Sequence, residues 1–144
     1  MSETLTLDHV AGAMKGIDIA ILSTHGEDNA IASRPMSNNR DVKYDGTSYF
    51  FSYEGASCIA DIRRNSNVAL GYSSNAGIFS GAIYVTTEGT AEIILDKTAF
   101  EQHWTPDLDV WFEKGIDTPG LVLLKIRANR LKVWEKNKER ELII

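Results

Sequence analysis

The feature that most constrains this chain is an irregular alternation: about six strand-like runs, with only short helical stretches between some of them. "IDIAILST" (17–24) is a β-branched run, "HGEDN" is a turn, and "AIASRPM" (30–36) reads as the return strand of a hairpin. "DVKYDGTSYFFSY" turns at Asp45-Gly46 and supplies an aromatic strand over 47–53. "VALGYSS" (68–74) and "AIYVTTEGTAEIIL" (82–95) follow, joined by the loop "NAGIFSG", and Pro119-Gly120 introduces a final strand or hairpin, "LVLLKIRANRLKVWE". Helical spacing is confined to short pieces. Leu7, Val10, Ala11 and Met14 predict a helix over about 5–15, stopped by Gly16. "GASCIADIRRN" predicts a second over about 57–65, with Ser57 as its N-cap and Asn65 at its stop. Asp96 caps a third over about 97–104, and "DVWFEKG" holds another short helical piece. Strands and helices in this order do not make regular βαβ units, which argues against a doubly wound parallel sheet. A mainly β fold is expected, its strands paired antiparallel into a small closed barrel that protects the edges of "SYFF" and "LVLL".

With 144 residues, 43% of them hydrophobic, the chain suits a single domain spanning 1–144. A formal net charge of −5, with nothing more basic than "RRN" at Arg63 and Arg64, argues against a nucleic-acid or anionic-membrane surface. "MSETLTLDHV" lacks the charge and apolar run of a leader, and "LVLL" (121–124) is far too short to span a bilayer, so a soluble, cytoplasmic protein is expected. The single cysteine, Cys58, cannot form an internal disulfide. His9, His25 and His103 are scattered without ligand spacing, and no metal site is expected. No nucleophile-base order or carboxylate pair stands out, and Asp107, Asp109 and Glu113 read as a solvated acidic face.

"ASRPMSNNR" (32–40) places an arginine where a strand would carry filler. Arginine is a rigid fork of donors suited to phosphate or carboxylate, and Pro35 removes a ladder donor, as at a strand edge or bulge. The alternative is a surface arginine leaving a strand. The run "IAILST", "ASRPM", "GTSYFFSYEGASCIADIRRN", "YVTTEGTAEI", "HWTPDLDVWF" and "PGLVLLKIRANRLKVWE", in that order over nearly the whole chain, resembles the FMN-binding split barrels related to pyridoxamine 5′-phosphate oxidase, above all their general stress protein branch. The resemblance implies a six-stranded antiparallel Greek-key split barrel with short flanking helices. It also implies FMN as cofactor and a homodimer with the flavin site at the subunit interface.

Carried over residue by residue, the resemblance sets Arg34, Pro35 and Met36 along the flavin ring. Ser52 and Tyr53 would flank the ribityl chain and phosphate. Ser57 and the first amides of the following helix would hold the phosphate, and a helix N-terminus is an anion site on physical grounds as well. On this reading Arg34 grips the phosphate too, and FMN binds more tightly than riboflavin. Trp134 in "KVWE" matches a tryptophan that relatives place near the flavin, in many of them from the partner subunit, and Trp111 in "DVWF" would cover the ring; ordinary core or interface packing is the other reading of both. Cys58 stands where relatives usually carry a phosphate-binding lysine, so the charge would fall to Arg34, Arg40 or Lys43, while Cys58 itself reads as a small buried hydrophobe. The ending "EKNKERELII" does not resemble the Arg-His segment that grips substrate in the true oxidases. The implied function is therefore an FMN-dependent oxidoreductase acting on an unassigned small molecule. The alternatives are a flavin carrier or sensor without turnover in a stress response, and a barrel that has lost flavin. No dinucleotide fingerprint names an electron donor.

Overall fold

The computed structural model describes residues 5–38, 43–74, 82–136 and 138–144. Helix α1 (Leu7–Met14) starts at Thr6, whose hydroxyl accepts from the His9 amide. Strands β1 (Ile19–His25) and β2 (Ile31–Ser37) form a hairpin whose turn places Asp28 and Asn29 at positive φ. Then come β3 (Thr47–Tyr53), α2 (Ser57–Arg64), β4 (Asn67–Ser73), β5 (Ile83–Ile94) and α3 (Lys97–His103). Single 3-10 turns at Pro106–Val110 and Gly115–Asp117 lead to the long strand β6 (Leu121–Glu135) and to β7 (Lys138–Ile143).

Every pairing is antiparallel, in the order β2-β1-β4-β5-β6-β3, with β7 also on β6. The fold is the mainly β split barrel with short helices that the sequence implies, and its helices and strands fall within about two residues of their expected bounds. Four details differ. Full closure is not reached: the sheet path ends at β2 and β3, which are not paired among the described residues. The last segment is a hairpin of two strands turned by Lys136 at positive φ, because β6 runs on until a second strand can pair with its end. The helix expected in "DVWFEKG" is two separate 3-10 turns. Ala56, not Ser57, is the N-cap of α2, and Ser57 is its first helical residue with no side-chain capping bond. Arg40 and the loop "NAGIFSG" lie outside the described residues.

The core follows from strand alternation. Ala20, Leu22 and Thr24 of β1 point inward, with Val85 and Thr87 of β5 and Val122, Leu124, Leu131 and Val133 of β6. Val10 and Met14 of α1 and Ile59 and Ile62 of α2 join that interior. The start of β6 is buried on both faces, which is why "LVLL" is apolar without alternation. Its other face carries a second core, where Leu121 and Leu123 meet Phe100 and Phe112, and Phe51 meets Trp104 edge-to-face at 4.9 Å. At Gly89 the β5–β6 register shifts, and a Cβ there would stand 2.0 Å from the Arg127 carbonyl oxygen. No helix among the described residues is long and apolar enough to cross a membrane.

Candidate functional site

The two unpaired ends of the sheet path, β2 and β3, define a split, and α2 ties them together. On β2, Ala32, Arg34 and Met36 share the partly buried face; Pro35 points the other way, opposite Ile21 of β1. Arg34 does not leave the strand into solvent. Its Nη1 donates to Thr24 Oγ1 at 2.8 Å and to the carbonyl oxygens of Leu22 and Ala32 at 3.3 and 3.4 Å. Its Nη2 donates to Asp61 Oδ2 at 3.4 Å.

Asp61 lies on α2 and is 5% exposed. It accepts from the Thr24 hydroxyl at 2.7 Å and from Arg64 Nη2 at 2.6 Å, so one buried carboxylate faces two guanidinium groups and a hydroxyl. A buried charge is tolerated only when partnered in this way. The fork in "ASRPM" thus has a carboxylate as its partner within the chain.

Three residues before Asp61, Cys58 is buried, and its sulfur lies 3.8 Å from the Ser52 hydroxyl on β3. The helix therefore touches β2 through Asp61 and β3 through Cys58. A tight turn, with the Ala56 amide donating to the Tyr53 carbonyl at 2.9 Å, brings Ser57 and the first amides of α2 directly after Tyr53. The Ile59 amide donates to the Ala56 carbonyl at 3.1 Å, and the amides ahead of it have no carbonyl within the helix to receive them. Tyr53 is half-exposed, and its hydroxyl donates to the Trp111 carbonyl at 3.5 Å. Trp111 is 68% exposed beside a still more open Val110.

At its other end the split opens into a cavity of about 510 Å³, bordered by Ser37 and Asn38 after β2, by Ser48 to Phe51 of β3, by Met14 of α1 and by His103 to Leu108. That volume is in the range of small-molecule sites, about 300–1,000 Å³. His103 stacks on Tyr49 with ring centroids 3.7 Å apart, and burial, reinforced by Lys125, holds its imidazole below the ordinary value, hence neutral at pH 7. The Ser48 hydroxyl lies 3.2 Å from that of Tyr72, whose own ionisation burial pushes up to about 12.

Trp134 is elsewhere. It sits near the far end of β6, opposite Tyr84 of β5 and Glu139 of β7, whereas Tyr53 pairs with Leu121 at the start of the same strand. Thirteen residues of strand at about 3.3 Å each separate the two positions by roughly 40 Å along β6. The structure thus brings together Arg34, Met36, Ser52, Tyr53, Ser57 and Cys58 around the split and α2, sets Trp111 at its rim, and leaves Trp134 apart. The residues that sequence reasoning missed are Thr24, Asp61 and Arg64. Their signal was present: a threonine at an inward position of β1, and an aspartate between Ile59 and Ile62 on the apolar face of α2. Among the described residues no cluster of His, Cys, Asp and Glu can hold a metal ion.

A family model described as "Pyridoxamine 5′-phosphate oxidase like" matches residues 6–144. The chain belongs to the pyridoxamine 5′-phosphate oxidase-like family. Within that family's fold, a protein of Clostridium acetobutylicum related to general stress protein 26 superposes with a TM-score of 0.81 at 19% identity, over 96% of this chain and 94% of that one. General stress protein 26 of Bacillus anthracis superposes at 0.74 with 22% identity, over 96% and 98%. A heme binding protein of Mycobacterium smegmatis shares the fold at 0.78 with 11% identity, over 99% of this chain and 60% of that one. A search of curated proteins finds no significant match. At these identities the structural likenesses establish the oxidase-like fold, and the family model carries the membership.

Proposed function

We propose that this chain binds FMN in the split between β2 and β3 and acts as an FMN-dependent oxidoreductase on a small molecule admitted through the adjoining cavity. The observation that carries the reading is the junction at α2. There the N-terminus of α2 and the Ser52 and Ser57 hydroxyls meet at one end of the split, and the strand bearing Met36 runs toward the cavity of about 510 Å³ at the other end. Amides and hydroxyls suit a phosphate, and a thioether against an apolar interior suits a flat ring. When bound, FMN supplies the hydride or electron chemistry. The chain's own groups bind and orient it, and the aromatic second core beneath Phe51 and Phe112 excludes water from one side.

We propose further that the working unit is a cytoplasmic homodimer. Ile19, Ile21, Tyr84 and Trp134 are 49, 43, 48 and 36% exposed on the outer face of the sheet, a stripe of apolar surface of the kind a partner covers. Trp134 lies thirteen positions along β6 from Leu121, the partner of Tyr53, and in the proposed dimer the partner subunit brings its copy of this tryptophan to the flavin.

Titration of the purified protein with FMN tests the reading through quenching of flavin fluorescence. Saturable binding at one FMN per chain is expected, and no binding of FMN or riboflavin would overturn it. The family fold also includes a heme binding protein, so hemin is the control ligand. Cys58 in place of a lysine favours one second reading, a barrel that has lost flavin, which a colourless protein and a failed titration would support; a flavin carrier without turnover is the further alternative. Reduction of the bound flavin by NADH or NADPH separates the carrier from the oxidoreductase.

A further inference from the structure

We infer that Arg34 is a positioning residue of the flavin site, committed to Asp61, and that the phosphate end of the site is held by uncharged donors. The inference rests on the FMN reading above and concerns which groups perform it. Both terminal nitrogens of the Arg34 fork are in use, on Asp61 Oδ2, on Thr24 Oγ1 and on two backbone carbonyls. Turning the fork toward a phosphate would take one of two guanidinium partners from a carboxylate that is 5% exposed, and removing a partner from a buried charge is strongly unfavourable. Thr24 closes the network, accepting from Arg34 while donating to Asp61. The three groups lie on β1, β2 and α2, so their bonds fix how far α2 stands from the strand that would line the flavin.

Two further cations lie on α2 itself, and Lys15 and Lys43 border the cavity at the other end of the split. Arg64 is on Asp61, Arg63 is on Glu54, and Lys43 lies 3.0 Å from Asp8. Position 58, one residue inside α2, carries a buried thiol. Among the described residues, what remains at the N-terminus of α2 is the Ser52 and Ser57 hydroxyls and the amides ahead of Ile59, whose own amide is bonded to the Ala56 carbonyl.

The test titrates FMN and riboflavin separately against wild type, Arg34→Ala, Arg34→Lys, Asp61→Asn, the Arg34→Ala/Asp61→Asn double variant and Arg40→Ala, and records Tm for each. Arg34→Ala is expected to weaken FMN and riboflavin by the same factor, roughly tenfold, leaving their ratio within about twofold of wild type. Asp61→Asn should do the same, and the double variant should be little worse than either single one. Arg34→Lys keeps the charge but loses the fork, so it should resemble Arg34→Ala; it also serves if the alanine variant does not fold. Loss of FMN with riboflavin unchanged in Arg34→Ala, or its rescue by lysine, would make Arg34 a phosphate ligand and overturn the assignment. A selective FMN loss in Arg40→Ala would overturn the uncharged phosphate site. If wild type binds neither flavin, the FMN reading itself fails. The Tm values then decide Arg34 alone: non-additive losses in the double variant support its link to Asp61, and additive losses refute it.

Discussion

Gly89 is the residue whose replacement has the least room to relax. A methyl group there meets backbone on the neighbouring strand, 2.0 Å from the Arg127 oxygen, at the point where β5 and β6 change register. Gly89→Ala is expected to cost about 3 kcal/mol or more in chemical denaturation, in the range of severe single substitutions. The tyrosines of the interior set an alkaline limit. Burial raises Tyr72 to about 12 and Tyr44 higher still, both from an ordinary 10.0. The unfolded chain loses these protons first, so their contribution is complete below pH 10 and falls as pH rises toward 12. Denaturation midpoints should fall across that window, and Tyr72→Phe should fall less; a flat midpoint would show the phenols open to water. At this scale the sequence was only partly legible. It marked Arg34 as a fork suited to phosphate or carboxylate, with a surface arginine as the other reading. It did not show that the partner is Asp61, because a pair 27 positions apart is set by how α2 crosses the strands.

At the scale of elements, α2 shows what could be read and what could not. Its extent follows from apolar spacing and from the stop at Asn65, both local. Its cap does not, since Ser57 and Ala56 differ by one residue of backbone conformation that the turn from Tyr53 decides. The seventh strand and the open split were hidden for the same reason: pairing joins residues far apart in sequence, and local propensity is silent on it. Two variants test these elements. Cys58→Lys adds a cation beside the α2 N-terminus and should raise the ratio of FMN to riboflavin affinity while lowering Tm, because a side chain 4% exposed must find room. An unchanged ratio would place the phosphate elsewhere. Leu123→Ala empties the second core beneath Phe100 and Phe112 and should cost about 2–5 kcal/mol. A smaller loss would mean that the α3 segment is loosely attached.

For the whole molecule, the exposed stripe of Ile19, Ile21, Tyr84 and Trp134 makes association the property to measure. Sedimentation should give a dimer, and Tyr84→Glu should shift it toward the 16.0 kDa monomer. A monomer in wild type at micromolar concentration would remove the two-subunit site. The position of β3 in the sheet has a consequence for how the chain is made. Its only ladder partner among the described strands is β6, and the two pair from Thr47 with Arg127 to Tyr53 with Leu121, across most of the sequence. Closing so long a loop is slow, because its entropy is lost before the contacts that reward it are made. As the chain emerges from the ribosome, the β1–β2 hairpin can form at once, while the aromatic strand "TSYFFSY" waits, unpaired and prone to aggregation, until residues beyond 121 are synthesised. Released chains truncated just before Leu121 should therefore be cut by protease around β3 and bound there by chaperones, and extension through Glu135 should abolish both.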